Sequence, residues 1–240
     1  MIESHLNRHD LQWCLRRAPK QVLELMKAHP AQVMCAGGYV RSCISGEKIN
    51  DMDLFCPTPE LSLQFATELA KGGKIYTTGN AHTVPRKRGI TIQFIHRWSY
   101  DAVADLLASF DFTIACGAFW YYGDSWRSLC HDRFYQDLAA RRLIYTSPKR
   151  NEDAGGSMLR VLKFYQRGYR IPLDSMGAVI ARLNEGVDKD RLNGLLCSGS
   201  VENREQAYAR VVTGLLREVD PAIDPTHIAH LPSEDENDIA

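Results

Sequence analysis

Two aspartates one residue apart, Asp51 and Asp53, follow a glycine pair, Gly37-Gly38, and a basic residue, Arg41. Side chains alternate along an extended strand, so Asp51-Met52-Asp53-Leu54-Phe55 puts both carboxylates on one face. Carboxylate oxygens are hard donors, and one or two of them together with substrate phosphates are the usual protein contribution to a Mg²⁺ site. Glycines lack Cβ and let backbone N–H groups approach a phosphate, and the helix they open points its N-terminus at the anion. Arg41, on that helix, adds positive charge. The stretch therefore reads as a phosphate and metal site, with Asp51 and Asp53 as its metal-binding pair.

The flanking elements must hold these groups in place. Val33-Met34-Cys35 is short and apolar, like a buried strand entering the glycine turn. Residues 11–27 carry apolar positions at helical spacing and end near His29-Pro30, which predicts one or two helices ahead of it. After Pro57-Thr58-Pro59, residues 60–71 read as a helix stopped by Gly72-Gly73. Residues 74–77 and 90–95 read as strands joined through Pro85-Arg86-Lys87-Arg88-Gly89, and residues 102–110 as a short helix. Phe112 to Cys116 with Ala118 to Tyr121 suggests a hairpin or a strand and turn. From Met158 onward the pattern is helical, with Met158, Leu159, Leu162, Phe164 and Tyr165 on one apolar stripe. The expected fold is α+β: a small mixed sheet flanked by helices, followed by a helical C-terminal half. The expected boundaries are a head at 1–146, a helical neck-like domain at 147–231 and an acidic disordered tail at 232–240.

Composition bounds the partners. A chain of 240 residues, 45% of them hydrophobic, has enough apolar material for a core. Lys plus Arg and Asp plus Glu both number 29, so no global basic field points to nucleic acid, and any such surface must be a local patch. The seven cysteines form no C-x-x-C pair and are odd in number, as expected of reduced thiols in a cytoplasmic protein. No apolar run reaches membrane-spanning length, and the N-terminus lacks a signal-peptide core. His82, His96 and His131 lack metal-ligand spacing and read as surface or satisfied core histidines. The run Pro85-Arg86-Lys87-Arg88 reads as a solvated hairpin tip, and Phe119-Trp120-Tyr121-Tyr122 as core and hairpin surface. Oligomeric state is not legible.

Four segments, in order, resemble the head and neck of the CCA-adding enzymes and bacterial poly(A) polymerases, within the polymerase-β-like nucleotidyltransferase superfamily. Gly37-Gly38-Tyr39-Val40-Arg41-Ser42 with Asp51-Met52-Asp53 is similar to Gly-Gly-x-Val-Arg-Asp followed by Asp-x-Asp. Ser109-Phe110-Asp111-Phe112-Thr113-Ile114-Ala115 is similar to Arg-Arg-Asp-Phe-Thr-Ile-Asn. The stretch from Asp132 to Leu138 with Arg142-Leu143-Ile144 resembles Gly-x-x-Asp-Leu and its basic-apolar pair. Met158 to Phe164 is similar to the neck signature Leu-Arg-Ala-x-Arg-Phe. Against that pattern, Ser42 stands for Asp, Ser109-Phe110 for two arginines and Ala115 for Asn. Glu152-Asp153 only partly echoes the Glu-Asp-x-x-Arg template segment. On the strand expected to carry a third carboxylate the residue is Gln93. Either Asp51 and Asp53 suffice, or another carboxylate such as Asp111 assists, or the protein is catalytically weak.

The resemblance implies Mg²⁺-dependent transfer of an NMP from an NTP to an acceptor, read by analogy as a tRNA-like RNA 3′ end. It covers the head and neck, not the body and tail that grip tRNA. Asp51 and Asp53 would be the catalytic residues, and Gly37, Gly38, Arg41, Asp111, Arg160 and Lys163 the nucleotide-binding ones. Nucleotidylation of a protein or small molecule, and a degenerate non-catalytic nucleotide- or RNA-binding module, remain as alternatives.

Overall fold

Asp51–Phe55 is the middle strand of a seven-stranded mixed sheet in the computed structural model, which describes residues 4–86, 89–148 and 154–219. The chain folds as two compact units, Met1–Lys149 and Arg150–Ala240. The expected acidic tail, Glu152-Asp153 and the Lys87-Arg88 part of the basic run lie outside the described residues.

The first unit opens with α1 (Arg8–Arg17) and α2 (Lys20–Ala28), separated at Ala18-Pro19. Proline fixes φ, lacks an N–H and biases the residue before it to extended backbone, so the run makes two helices rather than one. β1 (Met34–Ala36) leads through Gly37 into α3 (Gly38–Ser45), then β2 (Asp51–Phe55) and α4 (Pro59–Ala70). Thr58 caps α4 by accepting from Leu61 N–H at 3.3 Å, Pro59 takes the first turn, and left-handed Lys71 and Gly72 end it. Three strands follow, β3 (Tyr76–Thr77), β4 (Ala81–Val84) and β5 (Thr91–Ile95), then α5 (Val103–Ala108). A 3-10 turn, Thr113–Ala115, precedes the hairpin of β6 (Gly117–Tyr122) and β7 (Ser125–Cys130), and α6 (Phe134–Ala139) completes the unit's helices.

The strand order is β3-β4-β5-β2-β1-β6-β7, and only β2 with β5 is parallel. Met34, Ala36, Phe55 and Ala118 form one core with Leu106 and Leu107 of α5. α2, α3 and α4 also pack on the sheet, with Tyr39 and Phe119 rings 6.2 Å apart. Met52 and Leu54 are fully buried, and by alternation Asp51 and Asp53 share the opposite face, that of Phe55.

A buried charge locks the C-terminal part of this unit. Asp137, fully buried, accepts from Thr113 Oγ1 at 2.8 Å, Arg133 Nε at 3.2 Å and Arg142 Nε at 2.9 Å. This is why the Phe112 to Cys116 segment, whose residue types favour a strand, coils into a 3-10 turn: the hydroxyl of Thr113 is claimed by Asp137, and its N–H donates to Ile144 O at 3.1 Å.

The second unit is helical: α7 (Ala154–Gln166), α8 (Leu173–Glu185), α9 (Lys189–Cys197) and α10 (Arg204–Val219). Val187, Leu192, Ala207 and Val211 form a core cluster. The stripe expected on α7 is shifted. Leu159, Val161 and Phe164 are buried, while Leu162 and Tyr165 are exposed. Val161, three residues before Phe164, takes the place expected of Leu162. Among the described residues no helix is long and apolar enough to cross a membrane.

Candidate functional site

The glycine turn is built by backbone geometry. Gly37 has φ 80°, ψ −127°, outside the range of residues with a side chain, and its N–H donates to Gly117 O at 3.0 Å. A Cβ there would sit 3.2 Å from the Phe110 ring, which also meets Phe55 edge-on at 6.0 Å. Gly37→Ala is therefore expected to cost about 1–3 kcal/mol from backbone strain, measured by urea unfolding; an unchanged midpoint would contradict the geometry. Because the Gly37 N–H is used by the sheet, the donors left for an anion are those of the first turn of α3, beginning at Gly38.

Arg41 lies one turn into α3 and is buried. Its Nη2 donates to Ser42 Oγ at 3.3 Å, and its Nε is 3.5 Å from Glu47 Oε2. Asp51 and Asp53 are partly buried on β2. Asp53 Oδ1 is shielded from solvent and has no hydrogen-bond partner. Burial, then the neighbouring Asp51 charge, push the Asp53 carboxyl up to about 7, with Arg41 pulling the other way. Two like charges on one face, one with a buried lone acceptor, describe a place short of positive charge. Hard oxygen donors in that condition fit Mg²⁺. Among the described residues no group of three or more His, Cys, Asp or Glu is arranged for a metal.

Gln93 stands directly beside Asp53 across the parallel β2–β5 ladder. A neutral amide occupies that position, and no third charge adds to the repulsion there. Asp111 is buried next to Phe110, and its carbonyl accepts from Thr146 N–H at 2.9 Å. The first unit thus brings together Gly37, Gly38, Arg41, Asp51 and Asp53, with Phe110 closing on the turn just ahead of Asp111. Arg160 and Lys163 lie on α7 of the second unit. Glu47, which no spacing in the sequence singles out, comes beside Arg41 through the left-handed reversal at Gly46.

Of the other residues singled out, His82 and His96 stack with ring centroids 4.4 Å apart, and His82 Nδ1 lies 2.9 Å from Thr77 Oγ1. Burial and the adjacent His96 lower the His82 pKa, as for a satisfied core histidine. Six cysteines are buried thiols and Cys197 is exposed, and none of the seven is in a disulfide.

Several solved structures share this fold. The Thermotoga maritima CCA-adding enzyme complexed with tRNA matches 87% of this chain and 54% of its own at 19% identity, TM-score 0.54. A CCA-adding enzyme complexed with ATP matches 91% and 56% at 19% identity, TM-score 0.57. A tRNA nucleotidyltransferase complexed with a primer tRNA and an incoming ATP analogue matches 79% and 59% at 17% identity, TM-score 0.51. The chain spans just over half the length of these proteins. A protein of Bacillus phage SPbetaL7 named Gabija anti-defense 2 is 25% identical over 154 residues, which are 63% of this chain and 37% of that one. The family model described as Gabija anti-defense 2 family protein matches residues 6–141, which include the glycine turn, both aspartates and Asp137. With more than half of its length matched by that model and its fold that of a nucleotidyltransferase head and neck, the chain belongs to the Gabija anti-defense 2 family.

Proposed function

We propose that the protein transfers an NMP from an NTP to an acceptor hydroxyl. The observation that carries this reading is the buried, unpartnered Asp53 Oδ1 beside Asp51, on the strand that follows the glycine turn. In the reaction the acceptor oxygen bonds to the α-phosphorus as the α–β bridging bond breaks. Pyrophosphate leaves with the electron pair, and the hydroxyl proton passes to solvent. Asp51 and Asp53 would hold Mg²⁺, which when bound neutralises the leaving pyrophosphate and lowers the pKa of the acceptor hydroxyl. The first turn of α3 receives phosphate oxygens on its N–H groups, and Arg41 adds charge beside it. Asp111 completes the nucleotide contacts of the first unit in this reading, and Arg160 and Lys163 are candidate phosphate-binding cations on α7 of the second.

Two acceptors have support. The resemblance to CCA-adding enzymes favours an RNA 3′ end. The name of the phage relative favours a component of the Gabija defence as the target, in keeping with an anti-defence role. Incubation of the full chain with each α-labelled NTP, Mg²⁺, and either tRNA or purified Gabija proteins separates them. Label is expected on one acceptor, with a loss of at least about a thousandfold in Asp51→Ala/Asp53→Ala, since removing catalytic metal ligands removes most of the charge stabilisation. Label that survives in the double variant would sink the transferase reading. An absence of label, with NTP still protecting the fold, would turn it into a binding module.

A further inference from the structure

Arg41 is 6% exposed, and its charge reaches Asp53. It also lies against the turn: its Nη2 is 3.8 Å from where a Cβ would stand on Gly38. A cation so placed is drawn two ways, toward the strand carboxylates and toward whatever else holds it. Glu47 supplies the second pull. Gly46, at φ 73°, ends α3 in the left-handed conformation, and the chain turns so that the Glu47 carboxylate comes to 3.5 Å from Arg41 Nε. The Glu47 side chain is only 17% exposed, so the pair is screened weakly by water. The residue after Arg41, where the resembling family has Asp, is here Ser42, and its hydroxyl is only a neutral acceptor for the guanidinium.

We propose that Glu47 is a positioning residue: its carboxylate anchors the Arg41 guanidinium at the glycine turn and keeps it off Asp51 and Asp53, leaving those two open to a divalent cation. The proposal rests on the reading of Asp51 and Asp53 as the metal pair. Without the Glu47 charge, the guanidinium moves onto the aspartates and competes with the metal. A carboxylate at position 42, where Ser42 Oγ already meets Nη2, reaches the same guanidinium and replaces Glu47.

Mn²⁺ binding to the full chain, read by electron paramagnetic resonance of the free ion, tests this without reference to turnover, and thermal melting in EDTA checks that each variant is folded. The parent is expected to bind Mn²⁺ in a manner lost in Asp51→Ala/Asp53→Ala. Glu47→Gln should weaken binding about tenfold, the lower end for loss of a group that orients metal ligands. Ser42→Asp/Glu47→Gln should return it to near the parental affinity. Arg41→Gln/Glu47→Gln should bind more tightly than Glu47→Gln alone, because the competing cation is gone; a merely structural Glu47 predicts further loss. A parent that binds no Mn²⁺ through the aspartates overturns the metal-pair reading and this proposal with it. A parent that binds, with folded Glu47→Gln unchanged or with neither double variant restoring affinity, overturns the positioning role alone.

Discussion

Asp53→Asn is expected to stabilise the metal-free protein at pH 8 while abolishing its Mg²⁺ binding. The Asp53 carboxyl titrates at about 7 in the folded protein against an ordinary value of 3.8. Between those values the folded state keeps a proton that the unfolded chain has released. Stability of the metal-free protein therefore falls as pH rises through that window and is level above it. At about 1.4 kcal/mol per unit the full penalty approaches about 4 kcal/mol, and partial exposure of the residue lowers the expectation to about 2–3 kcal/mol. Asparagine removes the charge, so its advantage is small near pH 5 and largest at pH 8. Urea unfolding in EDTA at the two pH values measures it; a variant less stable than the parent at pH 8 would refute the assignment. Mg²⁺ binds the ionised form, so the apparent affinity of the parent should fall by up to about tenfold per unit below pH 7.

The part of this site that sequence makes legible is the part set by local rules. β2 spans Asp51–Phe55 as period-2 alternation predicts, and the glycine turn sits between β1 and α3 because a positive φ at Gly37 admits no other residue without strain. What sequence leaves dark is set by tertiary contact. β4, Ala81–Val84, is too short and mixed to show a period, and it exists because it lies between β3 and β5. β7, Ser125–Cys130, hid behind its polar residues, although Gly123-Asp124, both with φ 57°, was a readable hairpin turn. Thr113 and Ile114 carry β-branched side chains and read as strand, yet Asp137 and Ile144 take the segment's hydrogen bonds. The Asp53 pKa and the Arg41–Glu47 pair depend on burial and on a chain reversal at Gly46, which no spacing encodes.

Gln93 bears on how the two-carboxylate site differs from the pattern it resembles. Its register opposite Asp53 means a glutamate there would be a direct cross-strand like charge. With an amide instead, the repulsion that raises Asp53 comes chiefly from Asp51, and one Arg41 has less negative charge to offset. On the proposed reading such a site would present fewer ligands, and more of a Mg²⁺ ion's coordination would come from the nucleotide.

Asp137→Ala should produce a large loss of stability in the first unit, about 2–3 kcal/mol, because it removes the buried partner of Thr113 and of two guanidiniums whose partial exposure softens the loss. The pair geometry is close, with Arg142 Nη2 at 2.8 Å from Oδ1 and Arg133 Nη2 at 3.2 Å from the same oxygen. Burial alone would raise this carboxyl, yet hydrogen bonds from Arg133, Thr113 and Arg142 outweigh it and hold the pKa below the usual carboxylate range. Its contribution is thus present above the unfolded-state value and is lost as pH falls through the depressed one, opposite in sign to Asp53. Urea midpoints at pH 3, 5 and 8 separate the two residues. Asp137→Ala should be weakened at pH 5 and 8 and converge on the parent toward pH 3, whereas Asp53→Asn should diverge from it toward pH 8. A uniform loss at all three values in Asp137→Ala would mean that packing, not the charge cluster, holds Thr113 and the segment ahead of β6 in place.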